Sequence, residues 1–347
     1  MHGKRVLVSG AGGFIGRWSV PALLRLGYDV HAVLSGQANR AIPEQLQGAK
    51  IYFANLLDAS AVDRLTSKVR PSHLLHFAWI ATPGVYWNSA ENFRWLTASE
   101  HLLHSFRAHG GSRVMMAGSC AEYDWSRVEV CDEQSSPLAD ADAAPLNDAA
   151  ARNDAAARND ATPLNHAAVF ASPYAACKIA LQKILAEVGR REHLSTAWGR
   201  IFFQFGPYEH PDRLVPSVIC NLLLNRAALL SHGRQIRSFL HVADVGEAFA
   251  AVLDSELEGP VNIGSDERIA LAELVERIGR EVGRPELLRL GARPSPPQEP
   301  PLLVPEIHRL RDEARWRPRF TLNEALSDTI AWWRGRLQAG AGAAKHE

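Results

Sequence analysis

The feature that most limits what this chain can fold into is a strand-like run that ends in evenly spaced glycines. "VLVSGAGGFIG" (6–16) places Gly10, Gly13 and Gly16 directly after a β-rich segment and at the start of one with helical spacing. A glycine at the first position permits a tight turn. At the second it lets backbone approach a pyrophosphate, and at the third it lets the helix lie close to the strand. The helix N-terminus then offers free N–H groups and a positive dipole end to phosphate. Phe14 and Ile15 fill the last gap of this loop and count with the glycines as contacts of a bound dinucleotide.

The rest of the first half repeats the same alternation. Strand patterns at 4–10, 28–34, 50–56, 72–79 and 112–119 are separated by helical patterns at 14–27, 59–69 and 91–109. Such alternation means βαβ units, hence a doubly wound parallel sheet with helices on both faces. The apolar character of the strands fits burial on both sides. A further helix at 173–191, with Ser172 as N-cap and Pro173 in its first turn, precedes a strand at 194–206. Beyond 206 the alternation loosens. We expect a Rossmann-like dinucleotide-binding domain over 1–205 and a smaller, partly interleaved α/β substrate domain over 206–337. Residues 237–264 partly return to the first sheet, and 338–347 form a flexible tail.

Residues 134–171 interrupt this scheme. Within them "NDAAARNDAAARNDA" (147–161) repeats a six-residue unit that is too short for a solenoid and offers no apolar face to dock a helix. It reads as a solvated insertion. Lys plus Arg and Asp plus Glu both number 38, so no net basic field recruits nucleic acid or an anionic membrane. No apolar run reaches the roughly 20 residues of a membrane span. The four cysteines (Cys120, Cys131, Cys177 and Cys220) include no Cys-x-x-Cys pair, and the His73/His76 and His101/His104 spacings lack neighbouring acids to complete a metal site. The expectation is a reduced, cytoplasmic protein without a metal.

The end of the second strand bears on which dinucleotide binds. An acid there would take the ribose 2′-hydroxyl of NAD, and an arginine would suit the 2′-phosphate of NADP. The chain reads "HAVLSGQANR", with Ser35 and Arg40 but no acid before Glu44. This favours NADP(H), with NAD(H) as the alternative.

With "SGAGGFIG" and the Tyr–x–x–x–Lys of "YAACK" (174–178) in one chain, the sequence resembles the extended short-chain dehydrogenase/reductase family, in its sugar-nucleotide epimerase/dehydratase branch. "NLLD" (55–58) is similar to that family's adenine-contacting element, which implies cofactor roles for Asn55 and Leu56. "HFAW" (76–79) is similar to the segment that runs beside the cofactor, which implicates Phe77 and Ala78. "GSCAEYDW", "RIFFQFGP", "RLVPSVI", "RSFLHVADV" and "VNIG" follow the family's later landmarks in order. The resemblance implies Tyr174 as general acid or base and Lys178 as the charge that lowers its pKa and holds the nicotinamide ribose. Ser119 is implied as the hydroxyl that orients the reacting oxygen. Arg237 stands where the family binds a diphosphate. His241 and Asp244 are read as structural.

Two departures narrow the function. In the family's dehydratases the catalytic Ser/Thr is followed by an Asp-Glu pair, but here Cys120 and Ala121 follow Ser119, with Glu122 one position off. Dehydration is therefore not expected, since alanine cannot replace a carboxylate in proton transfer. Phe203 takes the place of an asparagine that contacts the substrate's phosphates, which implies an altered pose. The leading expectation is an NADPH-dependent 4-ketoreductase of a 4-keto-6-deoxy nucleotide sugar. Its rivals are an NAD-dependent 4-epimerase and a non-catalytic NADP(H)-sensing protein. A homodimer, paired through helices 91–109 and 173–191, is implied by the resemblance.

Overall fold

The computed structural model describes residues 4–36, 41–139, 172–295 and 299–343. The chain opens with β1 (Arg5–Ser9), α1 (Gly16–Arg25), β2 (Asp29–Leu34) and β3 (Lys50–Phe53). It continues through α2 (Ala59–Val69), β4 (His73–His76), α3 (Glu91–Ala108) and β5 (Arg113–Ser119). A short β6 (Val130–Cys131) leaves the main sheet, and α4 (Pro173–Glu192) leads back to it through β7 (Ser195–Ile201). Then come β8 (Phe203–Phe205), α5 (Leu214–Leu223), β9 (Ala228–Leu229), β10 (Ile236–His241), α6 (Val242–Asp254) and β11 (Gly259–Ile263). The remainder is β12 (Arg268–Ala270), α7 (Leu271–Val282), β13 (Leu288–Arg289), β14 (Leu302–Pro305) and α8 (Leu322–Ala343).

The main sheet has the order β11-β7-β5-β4-β1-β2-β3, and every pairing in it is parallel. Strands buried on both faces account for the apolar runs of the sequence. Val6, Leu7 and Val8 are completely buried, as are Val114, Met115 and Met116. One layer packs α1 and α6 on the sheet, and the other packs α2, α3 and α4. The strand order reverses between β1 and β4, and ligands of such sheets bind in the crevice beyond the carboxyl ends at that reversal.

The structure differs from the sequence reading in two places. The expected strand 194–206 is two strands. At Phe202, whose N–H donates to Ile263 O at 3.0 Å, the chain leaves the main sheet, and β8 pairs with β10 instead. Apolar residues run unbroken through the step, so composition carries no mark of it. The last helix also runs past 337, where the sequence reading ends it, to Ala343.

The second sheet orders β12-β10-β14-β6, with β8 beside β10, and α5, α7 and α8 close over a separate core. Within 237–264, β10 belongs to the second sheet, while α6 packs on α1 and β11 adds the edge strand beside β7.

Candidate active site

The glycine loop has the geometry that its spacing predicts. Gly10 adopts φ +68°, and a Cβ there would lie 2.8 Å from Ala78 N. A Cβ on Gly16 would lie 2.3 Å from Gly10 O, so the third glycine is required for the helix to start where it does. Gly13 N–H closes the turn on Gly10 O at 2.9 Å. No side chain caps α1, and its first turn holds no acid. Its N–H groups therefore remain available to phosphate. Arg17 grips the loop from outside, donating to Gly12 O at 2.7 Å and Gly13 O at 3.0 Å.

The other cofactor candidates fall in the loops after β1, β2, β3 and β4. Phe77 and Ala78 follow β4 directly opposite Gly10, with Phe77 packed edge-on against Phe249 at 4.7 Å. Phe14 and Ile15 are half-buried in the loop. Ser35 is exposed just past β2. Asn55 is exposed and holds its own turn by accepting from Leu57 N–H at 3.1 Å, while Leu56 is buried beneath it. Arg40 lies outside the described residues, as does the repeat at 147–161.

Ser119 ends β5, and Tyr174 and Lys178 stand one turn apart on α4, which Ser172 caps by accepting from Ala175 N–H at 3.2 Å. The fold brings the three together. Burial of the Tyr174 hydroxyl raises its pKa, and the nearby Ser119 side chain draws it partly back. Burial is the larger effect and pushes it well above the ordinary tyrosine value. Lys178, which the resemblance implies as the charge that lowers Tyr174, lies one turn along from it. Its Nζ lies 5.9 Å from the Tyr174 ring centre, donates to Ala117 O at 2.8 Å and stands 3.9 Å from the Trp79 ring centre. Burial draws Lys178 itself down to about 7, against the opposing pull of Glu122. At neutral pH the lysine is poised between its charged and neutral forms rather than a fixed cation.

Around this set lies an aromatic wall that motif reading missed. Tyr86 and Trp87 contact Tyr174 edge-on at 4.8 and 5.4 Å, and Trp125 backs Trp87 at 6.4 Å. Asn92 fixes the start of the wall by accepting from Trp79 Nε1 at 2.8 Å and donating to Tyr86 O at 2.6 Å. The only sequence signal was the clustering of Trp79, Trp87 and Trp95 after β4.

Glu122, the nearest acid to Ser119 in sequence, is fully buried. It accepts from Ser119 N–H at 2.7 Å, from Arg200 Nε at 2.9 Å and from the Trp198 indole at 2.9 Å. These bonds make it the anchor of the Ser119 turn. Cys120 is buried, and burial pushes its thiol up to about 12, so it is no nucleophile at neutral pH. His76, between Ser9 Oγ at 2.6 Å and Ser99 Oγ at 2.8 Å, is drawn down to about 3 by burial and remains neutral. Arg237 is buried rather than a surface residue. It donates to Glu299 at 3.2 Å and lies 5.5 Å from the Phe203 ring centre. His241 caps α6 through Ala243 N–H, and Asp244 accepts from Arg319 and Phe320 N–H at 3.1 Å, both structural roles.

A glycine cradle at the switch point beside a Ser–Tyr–Lys set defines a dinucleotide-dependent oxidoreductase of the short-chain kind. Residues 6–264 match the NAD dependent epimerase/dehydratase family, and the chain belongs to that family. A human dTDP-D-glucose 4,6-dehydratase is 23% identical over 95% of this chain and 90% of its own length. A Xanthomonas campestris dTDP-glucose 4,6-dehydratase is 26% identical, but that match covers 47% of this chain and 49% of the relative. Among solved structures, a Thermus thermophilus UDP-glucose 4-epimerase in complex with NAD superposes with a TM-score of 0.75 at 24% identity, covering 95% of this chain and 99% of that one. Among the described residues no helix is long and apolar enough to cross a membrane.

Proposed function

We propose that the chain reduces the 4-keto group of a 4-keto-6-deoxy nucleotide sugar with NADPH. The observation that carries this reading is the turn after Ser119. Cys120 and Ala121 offer no carboxylate, and Glu122 is committed to Arg200 and Trp198. The proton relay for eliminating water, expected of the related dehydratases, has no group to run through there. A nicotinamide dinucleotide, when bound, supplies the hydride for C4. The chain supplies the rest. Ser119 donates to the carbonyl oxygen and orients it. Tyr174, held in its protonated form by burial, hands its proton to that oxygen. The aromatic wall of Tyr86 and Trp87 keeps bulk water from the exchange.

The lean to NADPH rests on the end of β2, where Leu34 is followed by Ser35 and Gly36 without an acid. Substrate class follows from the relatives, which act on dTDP- and UDP-linked sugars. Arg237 is the candidate diphosphate ligand, with Glu299 as its stand-in partner. The 4-epimerase remains the second reading, because Ser119, Tyr174 and Lys178 serve it equally. The side-by-side packing of α3 and α4 offers the surface through which a homodimer would form.

The test is in two parts. The purified protein is denatured and any released dinucleotide identified, then NADPH consumption is followed with 4-keto-6-deoxy nucleotide sugars. An empty protein that oxidises NADPH on such a substrate supports the reductase. Stoichiometric bound NAD with interconversion of 4-epimers and no NADPH consumption would replace it with the epimerase. NADP(H) binding without turnover of any nucleotide sugar would point to the sensing protein.

A further inference from the structure

Three ligand-type side chains far apart in sequence meet at the seam between the two large sheets. One donor atom from each of Asp132, Glu133 and His308 lies within 4.8 Å of the other two. Backbone pairing brings them together. Asp132 and Glu133 follow β6, His308 follows β14, and these strands pair in parallel through Val130–Val304 and Cys131–Pro305. Glu306 N–H extends the ladder to Cys131 O at 2.8 Å.

Glu133 is the residue that needs explaining. It is 5% exposed, and burial raises its pKa. Its Oε1 accepts from Asn262 N–H at 2.9 Å, but its Oε2 is buried without a hydrogen-bond partner. Burying a carboxylate oxygen unpaired is costly unless a cation meets it. Arg309 also bears on Glu133, but its guanidinium is directed to Glu313 and to the carbonyls of Glu258 and Pro260. The neighbours suit a metal better. The Asp132 carboxylate is oriented by three bonds to its Oδ1, from Gln134 N–H, Ser135 N–H and Ser135 Oγ. His308 is exposed, which leaves a path for entry.

We propose that Asp132, Glu133 and His308 form a binding site for a divalent transition metal of the zinc type. An imidazole nitrogen with two carboxylates suits zinc, whereas magnesium and calcium prefer oxygen alone. Donors around a tetrahedral zinc stand about 3.4 Å apart for bonds of about 2.1 Å, so the trio would draw in by up to about 1.4 Å on binding. The metal would clamp β6 to the segment after β14. It would also be tied to the active site. Asn262 accepts from Tyr123 Oη at 2.8 Å, Tyr123 accepts from Arg200 at 3.0 Å, and Arg200 holds Glu122 beneath Ser119.

The experiment uses the full chain without an affinity tag. The protein is equilibrated with zinc chloride, freed of loose metal by gel filtration, and assayed for zinc content and Tm, with magnesium chloride in parallel. The expected result is one zinc per chain and a raised Tm, with no shift from magnesium. His308→Ala, at an exposed position, should keep the metal-free Tm and weaken zinc binding about tenfold or more. Glu133→Gln should lose the metal while being at least as stable without it. Exposed His104 serves as control, and His104→Ala should bind zinc normally. Zinc content no higher in the wild type than in His308→Ala, or reduced equally by His104→Ala, overturns the site. So does a magnesium shift of equal size that survives His308→Ala.

Discussion

Lys178 and Arg237 are both buried cations near the end of β5, yet the fold treats them differently. Arg237 has the Glu299 carboxylate at 3.2 Å. Lys178 has a carbonyl and an indole but no acid in hydrogen-bond range among its described partners, and burial draws it down to about 7. A paired charge is fixed until another anion displaces its partner. An unpaired one titrates near neutral pH and responds to what enters beside it. The first arrangement suits holding a ligand, the second suits chemistry.

Removing the unpaired cation gives the largest expected effect. Lys178→Met should lower kcat by roughly 10²–10⁴-fold while Tm holds or rises, because a costly buried amine is replaced by a packed thioether. Its pH dependence gives a second reading. The folded pKa is lowered, so between about 7 and the ordinary lysine value the unfolded chain binds the extra proton. Wild-type stability should therefore climb with pH across that window, and Lys178→Met should flatten the climb. A Tm several degrees lower in the variant at pH 7 would break the contrast.

Glu122→Gln probes the buried pair that Glu122 makes with Arg200. Leaving Arg200 without its anion should cost about 3 kcal/mol, read as a lower denaturation midpoint. A change within error would mean that Glu122 does not anchor the Ser119 turn.

Trp79→Ala sharpens the account of Lys178. Opening the indole cover admits water, raises the lysine pKa and moves the alkaline fall of kcat/KM upward by roughly one pH unit. An unmoved profile would separate Trp79 from the titration. The smallest effect is expected at Arg237. Glu299→Gln should tighten binding of a nucleoside diphosphate by roughly severalfold, measured by calorimetry. Weaker binding would show that Glu299 assists the ligand rather than competing with it.

What could be read in advance divides along the same line. The parallel sheet, the glycine turn and the shared helical face of Tyr174 and Lys178 follow from local patterns: strand periodicity, glycines that only one backbone path tolerates, and an i,i+4 spacing, whereas Ser119 entered only through the family resemblance. The burial that governs Lys178 does not follow from such patterns. It depends on Trp79, which Asn92 orients, on Trp198 from another strand, and on the depth of α4 against β5. Glu122 shows the limit most plainly. Its place beside Ser119 was visible, but its commitment to Arg200 joins residues 78 positions apart. The Asp132–Glu133–His308 trio was invisible for the same reason, since spacing rules for metal ligands look along the chain and this cluster is assembled across a strand pairing.

The step at Phe202 makes one covalent strand serve two sheets. Arg200, on its main-sheet side, fixes the turn that carries Ser119, and Phe203, on the other, packs beside Arg237. A shift of one sheet against the other would therefore be felt at once by the Ser119 turn and by the Phe203–Arg237 contact. The bond from Phe202 N–H to Ile263 O ties that seam together with those from Asn262 Nδ2 to Cys131 O and Glu306 O.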